Sequence, residues 1–496
     1  MKKFLFYLSL ILAAFGLTST SICYDNDLWA RLIVGNVFFQ TGQIFKTDYL
    51  SYISTHTWWD HEWGASLIFS LFHNIFGHFG FILLHALLLF FILYFIVKAV
   101  KVRNPEKDVY NIFFFFIVLN VIYIAVKAPV RCQMFSFLFF TIFIWLLEKY
   151  KITQNKKLLY PIPIITLFWT NIHGGIVSGI GLLVLYVIGE FLKKKPVKEY
   201  ILTFLISFLT MFINPYGIEY VLFLIYANTM KRPLIIEWWS VFHPALKSKY
   251  YMFDVWAVIT ITISILTLIK SKLKNIDYTK YLLIFLTLYL GIAHVKLIPL
   301  AVITSSIFLY EDFCELFKNL KIGGLTEKIV YFLIIITFLT SFNKTMFRPI
   351  LTWAIYPIKE TEFIKINNLK GNLFASFGQG SFLEYKLYPH NKLYIDGRYE
   401  EVFYDDALNL MEKFYLMKPD WDYLLKKYDT DILMLEKQYP LYHNIEKILP
   451  WVKVYEGPLC GVFVKKSDLK KNYKYPSDDL EYYREHLFDT EAYYYD

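Results

Sequence analysis

The sequence predicts an α-helical polytopic membrane protein, with about eleven transmembrane helices and a C-terminal extracytoplasmic α/β domain. Three observations predict it. Of 496 residues, 56% are Ala, Val, Ile, Leu, Met, Phe, Trp, Tyr or Cys and only 19% are charged, against about 45–50% apolar and about 25% charged in a typical soluble domain. The apolar residues form runs of roughly 17–22 residues between short Lys-rich breaks, the length that crosses about 30 Å of hydrocarbon. Residues 343–496 abandon that pattern and alternate helical with strand-like segments. A soluble enzyme, a disordered chain and a single-span receptor are excluded. The net charge is +9, but Lys and Arg sit mostly between the apolar runs. That is the positive-inside signature, not a polyanion-binding face, so nucleic acid is not an expected partner and the lipid bilayer is.

Taken in order, Lys2 and Lys3 precede an apolar run to about Leu17. No small-x-small site follows, and Ile22 stands where a lipoprotein signal would place a small residue before Cys23, so the run reads as an uncleaved first helix. Residues 21–78 form the first external loop, whose stretch 64–76 is short and amphipathic and expected to lie in the interface. Further spans are expected near 79–98, 109–126, 132–148, 158–171, 176–192, 198–213, 252–269, 279–293, 297–311 and 327–342. Five basic breaks then fall on the Lys2 side, as the positive-inside bias demands. An odd number of spans divides the chain into a transmembrane domain, 1–342, and an extracytoplasmic domain, 343–496. In the tail, helices are expected near 358–370, 380–388, 404–416 and 420–428, and strands at 372–377, 392–396, 431–435, 451–455 and 461–464. That suffices for one small α/β domain. Four cysteines at unrelated spacings give neither a disulfide framework nor a zinc pattern.

With this topology every unusual polar cluster falls on the external side, whereas a channel would scatter polar residues through the bilayer. The first loop holds two acidic groups, Asp25/Asp27 and Asp60/Glu62, flanked by Trp29, Trp58, Trp59 and Trp63. Such carboxylates can abstract a proton from a hydroxyl acceptor. They can equally hold a divalent cation, Mg or Mn, with Asp27 and Glu62 as candidate ligands. The plainer alternative is a set of solvated loop acids, with Asp27 capping the helix that begins at Leu28. Asp48, between the two groups, is expected to be a solvated charge.

His173 and Asn171 end a span just before Gly174 and Gly175, which let the backbone turn sharply toward a ligand. Arg131 and Gln133 sit at the mouth of a tight hairpin; a cation facing a bundle interior implies an anionic partner, unless it snorkels to the interface. His294 with Lys296, and Glu237 with Trp238 and Trp239, add further external polar groups. In the tail, Asp396-Gly397-Arg398-Tyr399-Glu400 closes a strand, where α/β sheets place ligands, so Arg398 or Glu400 is a candidate contact. No P-loop, dinucleotide fingerprint or Ser-His-Asp motif is visible, so the energy for any reaction arrives inside an activated substrate.

These motifs, in this order, resemble bacterial integral-membrane type-C glycosyltransferases (GT-C), the superfamily of protein O-mannosyltransferases, aminoarabinose transferases and oligosaccharyltransferases. The residues that carry the likeness are Asp25, Asp27 and Trp29; Trp58, His61, Glu62 and Trp63; Arg131 and Gln133; and Trp169, Asn171, His173, Gly174 and Gly175. Asn214, Pro215 and Gly217, then Glu237 and Trp238, then Asp396, Gly397 and Arg398 complete it. Ala30 and Arg31 depart from a Trp-His pair, and Cys132 from a Pro.

The resemblance implies a sugar donor linked to a polyprenyl phosphate and an acceptor glycan, lipid or protein. It also implies an inverting reaction on the extracytoplasmic face of a bacterial cytoplasmic (inner) membrane. Asp27 would be the base or metal ligand, with Glu62, Asp60 and Asp25 as further carboxylates. Arg131, His173 and Arg398 would contact the donor phosphate, with His61, Gln133, Asn171, Glu237 and Lys296 also binding substrate. A flippase of lipid-linked glycans, which needs ionisable residues at mid-membrane depth, and a non-catalytic envelope glycan-assembly protein are the alternative readings.

Overall fold

The computed structural model describes residues 2–19, 26–54, 57–126, 130–271, 276–319, 324–341, 347, 349, 351, 353, 356–403, 406–448 and 450–489. Asp25 therefore lies outside the described residues, as does the Glu400 side chain. The chain forms two compact units, one of Met1–Ile22 with Phe76–Phe347 and one of Cys23–Ile75 with Arg348–Asp496. The first loop thus belongs with the tail.

The first unit is helical. Every expected span has its helix, from Lys2–Ser19, His78–Arg103, Ile112–Ala125 and Gln133–Thr153 through to Gly324–Ser341. Among the described residues, four helices are long and apolar enough to cross a membrane, or five if the pair bent by 79° after Phe308 is one span. Ile112–Ala125, Ile176–Leu192 and Tyr278–Ala293 are apolar but shorter. Length alone therefore supports a multi-pass membrane protein, not the expected count of eleven. Ile218–Thr229, read from the sequence as loop, is a further helix. Small residues let the helices close up: a Cβ on Gly189 would sit 2.2 Å from Thr279 Oγ1.

Ion pairs tie the basic breaks to one another at one end of this unit. Lys151 reaches Glu190 (2.7 Å) and Asp277 (3.0 Å), Lys193 reaches Asp277 (2.8 Å), and Arg103 pairs with Glu148. Arg131 and Gln133 begin the 21-residue helix whose last turn holds Lys151, so about 30 Å of helix separates them from that end. The alternation read from the lysines is geometrically consistent.

The second unit is a mixed five-stranded sheet in the order β2-β1-β3-β5-β4, with β1 Gly371–Phe374, β2 Asn391–Leu393, β3 Ile432–Glu436, β4 Trp451–Glu456 and β5 Cys460–Lys465. β2, β1 and β3 are parallel; β5 runs antiparallel to β3, and β4 to β5. Strands β3 and β5 are almost wholly buried, which is why they read as unbroken apolar runs rather than alternating ones. Leu373, Leu393, Ile432, Met434, Val462 and Val464 pack with Phe363, Ile364 and Leu383 of flanking helices.

The first loop completes this unit. Its segment Leu50–Tyr52 lies along the edge strand β2, with Leu393 N–H donating to Leu50 O (2.9 Å) and Tyr52 N–H to Leu393 O (3.1 Å). A sheet edge is thereby covered. Helix Asn26–Thr41 crosses helix Trp63–Phe76 at Gly35, where a Cβ would lie 2.4 Å from Ser66 O. Trp29, fully buried, is held by Tyr356, Phe382, Tyr385 and Phe488.

Candidate functional site

In the second unit the acidic residues of the first loop do not point into solvent. Arg31, one helical turn after Asp27, is 2% exposed and reaches Asp60 at 2.5 Å, Glu62 at 3.6 Å and Glu401 at 3.5 Å. Glu401 also meets His61 Nδ1 (2.8 Å) and accepts the Trp58 indole N–H. Burial pushes the Asp60 carboxyl up to about 6 against the pull of Arg31. Burial acts the same way on Glu401, but Arg31, His61 and Trp58 outweigh it and hold that group down to about 2. Three carboxylates facing one guanidinium leave an excess of two negative charges when His61 is neutral.

Those charges bear on a cation. His61, Glu62 and Glu401 offer donor atoms within 4.8 Å of one another. One imidazole and two carboxylates suit Zn or Mn, and Asp60 Oδ2 alongside them is buried without a hydrogen-bond partner. The residues fit a divalent ion. Glu62, one of the two ligand candidates read from the sequence, is among these three groups, with His61 and Glu401 beside it; Asp27 is not. Asp27 is half-buried in the first turn of helix Asn26–Thr41, packed on the backbone of Gly397, where a Cβ would lie 2.3 Å from Asp27 Oδ1. Only glycine permits that approach.

Arg398 corrects an expectation. Its guanidinium has no exposed area and binds Asp48 (2.7 Å), Glu384 (2.9 Å) and Asp396 (2.5 Å), with its flat face over the Trp58 ring at 4.6 Å. A cation so enclosed has no face left for a donor phosphate. Asp48, expected to be solvated, is buried as its partner. Three carboxylates again share one cation. Burial raises Glu384 well above the usual range despite Arg398, with Asp396 and Asp48 adding to it. Asp396 is held below its usual value: burial opposes this, but Arg398 prevails.

In the first unit, residues from three separate motifs line one cavity of about 60 Å³: Arg131 and Gln133, Glu237, and Lys296, with Tyr250 beside them. Arg131 forms an ion pair with Glu237. Lys296 Nζ lies 3.5 Å from the centre of the Trp238 ring, which Arg232 also faces at 4.3 Å. His173 sits apart in its own polar group. Its Nδ1 accepts from Gly175 N–H (3.0 Å) and lies 2.7 Å from Ser136 Oγ, which takes the Trp169 indole N–H at 2.7 Å. An accepting Nδ1 places the ring proton on Nε2. Asn171 donates to the Leu167 and Ile213 carbonyls, so its amide donors brace the turn.

Sequence reasoning missed Arg31, Glu401, Glu384 and Ser136. Arg31 was visible only as a departure from a motif, and Glu401 only as the residue after Glu400; nothing local marks either as a partner of the first loop.

The fold is similar to that of solved oligosaccharyltransferase structures. Among solved structures, the chain is similar to the oligosaccharyltransferase AglB of Archaeoglobus fulgidus in complex with an inhibitory peptide and a dolichol-phosphate, at TM-score 0.60 and 9% identity over 94% of this chain and 75% of that one. The same organism's oligosaccharyltransferase tethered to an acceptor peptide containing an NVT sequon matches at TM-score 0.58 and 9% identity, over 87% and 69%. At such identity the likeness describes the fold. By sequence, no protein-family model and no curated protein matches.

Proposed function

We propose that the chain is an inverting membrane glycosyltransferase that moves a sugar from a polyprenyl-phosphate-linked donor to an envelope acceptor on the extracytoplasmic face of the cytoplasmic membrane. The observation that carries the reading is the convergence of Arg131, Gln133, Glu237 and Lys296, up to 165 positions apart, on one cavity. Two fixed cations at a bundle mouth suit a phosphate headgroup. Structural neighbours that bind a dolichol-phosphate and an acceptor peptide support the same kind of chemistry.

On this reading Asp27 is the carboxylate that takes the acceptor proton. His61, Glu62 and Glu401 would hold a divalent cation, which would supply charge neutralisation when bound. Arg31 orients Glu62 and Glu401, and Asp60 holds Arg31. Gln133 and Lys296 contact the donor with Arg131, while His173 presents Nε2–H as a donor to a substrate oxygen. The test is transfer from a polyprenyl-phosphate sugar in membranes. Arg131→Ala should lower donor binding and transfer together by at least roughly tenfold, the scale of one lost charge-assisted contact. Unchanged binding with Arg131→Ala would refute the donor assignment.

A further inference from the structure

The donor cavity carries a charge count that constrains its ligand. Among the described residues lining it, Arg131 and Lys296 are cations and Glu237 is the opposing carboxylate, with Gln133 and Tyr250 neutral. The sum is +1 when all three are ionised. The carboxylate is paired with Arg131, and the backbone that follows it is fastened. His294 Nδ1–H donates to Trp238 O at 2.8 Å, Val295 N–H to Trp239 O at 3.1 Å, and Val241 N–H to Ile292 O at 3.0 Å. The Trp238 ring is faced by Arg232 and Lys296 as well. Glu237 is a built-in negative charge at the phosphate position.

We propose that this cavity selects one singly charged phosphodiester, the headgroup of a lipid monophosphate-linked sugar, over a diphosphate-linked one, and that Glu237 sets the choice. The inference rests on the reading that the cavity takes the donor phosphate. A phosphodiester bears one negative charge and matches the sum. A diphosphate brings at least one more, and that charge meets no further cation among the described lining residues and faces a carboxylate. Excluding a competitor by placing a like charge against it is a common route to specificity.

The experiment uses the full-length protein in nanodiscs and three probes: a short-chain prenyl phosphodiester of a hexose, the corresponding prenyl diphosphate sugar, and inorganic phosphate. Wild type should bind the phosphodiester at least roughly tenfold tighter than the diphosphate, and inorganic phosphate far more weakly than either. The isosteric Glu237→Gln raises the sum to +2 and should narrow or reverse the preference, while Arg131→Ala weakens both lipid probes. A wild type that prefers the diphosphate or binds the two equally overturns the proposal, as does an unchanged ratio in Glu237→Gln. Inorganic phosphate binding as tightly as the phosphodiester overturns the lipid source. If Arg131→Ala leaves both lipid probes untouched, the donor reading fails instead. Should Glu237→Gln not fold, the wild-type ratio decides.

Discussion

Arg398 Nη1 lies 2.7 Å from Asp48 Oδ1, across 350 positions of sequence, and neither side chain has any exposed area. This bond pins the first loop to the tail domain from the inside, in a cluster where Asp396 and Glu384 occupy the rest of the guanidinium. Asp48→Asn removes a buried partner of a buried cation, a change that costs about 3–5 kcal/mol. Glu384→Gln should cost less, because burial already disfavours the charged carboxylate there and the amide carries no charge. Thermal unfolding of the purified protein separates the two; equal losses would contradict the raised Glu384 carboxyl.

The same cluster makes stability depend on pH in two opposite senses. Glu384 binds its proton more tightly folded than unfolded, so stability falls as pH rises from the unfolded value near 4.5 through the raised folded one. Asp396 has the opposite sense, its contribution being lost as pH falls below 3.8 toward its depressed folded value. In melting curves measured against pH, Glu384→Gln should lack the decline that begins above 4.5 and keep the acid one. A decline above 4.5 that persists in the variant would assign it elsewhere.

The cation site makes a separate prediction. Glu401→Gln and His61→Ala should each weaken Mn2+ binding, read by calorimetry or electron paramagnetic resonance, by at least roughly tenfold, the lower end of what losing even a supporting group costs. Asp27→Asn should leave Mn2+ affinity within about twofold, since Asp27 is not one of the three converging donors. Strong dependence on Asp27 with none on Glu401 would return the metal to the pairing read from the sequence.

How far the sequence was legible follows from which forces are local. Strands β3, β4 and β5 stand within a residue or so of their expected bounds, and every expected span has a helix, because apolar runs and periodicity are written in adjacent residues. The helix Ile218–Thr229 was lost because it follows the turn at Pro215 and Gly217 and stops short of a full crossing. Charge partners were the least legible. Asp48 looked like a loop acid until Arg398 met it, and Arg31 looked like a motif departure until Asp60, Glu62 and Glu401 surrounded it. Burial of an acid is decided by a partner hundreds of residues away, and no window along the chain contains both.

Topology is testable without any substrate. The basic breaks joined by Lys151, Lys193 and Asp277 should face the cytoplasm, since Lys and Arg near span ends resist translocation. A phosphatase fused after residue 465 should be active only outside the cytoplasm, and a fusion in the Lys193–Lys195 turn only inside. A tail fusion active in the cytoplasm would remove the extracytoplasmic reaction.

The chemical role of Asp27 is the most exposed of the assignments. Asp27→Asn keeps size and the packing on Gly397, where a Cβ would lie 2.3 Å from the Asp27 side chain, but takes away the charge and the basicity. Losing a positioned proton acceptor costs about 10²–10⁴-fold in rate, whereas losing an ordinary surface charge changes stability by only about ±0.5 kcal/mol. The two roles are therefore separated by orders of magnitude in one assay, transfer from a polyprenyl-phosphate sugar in membranes at matched expression. Glu62→Gln should also lose transfer, and should lose Mn2+ with it, whereas Asp27→Asn should lose transfer alone. Near wild-type transfer by Asp27→Asn would remove Asp27 from the reaction, and the same result for Glu62→Gln would remove the carboxylate mechanism with it.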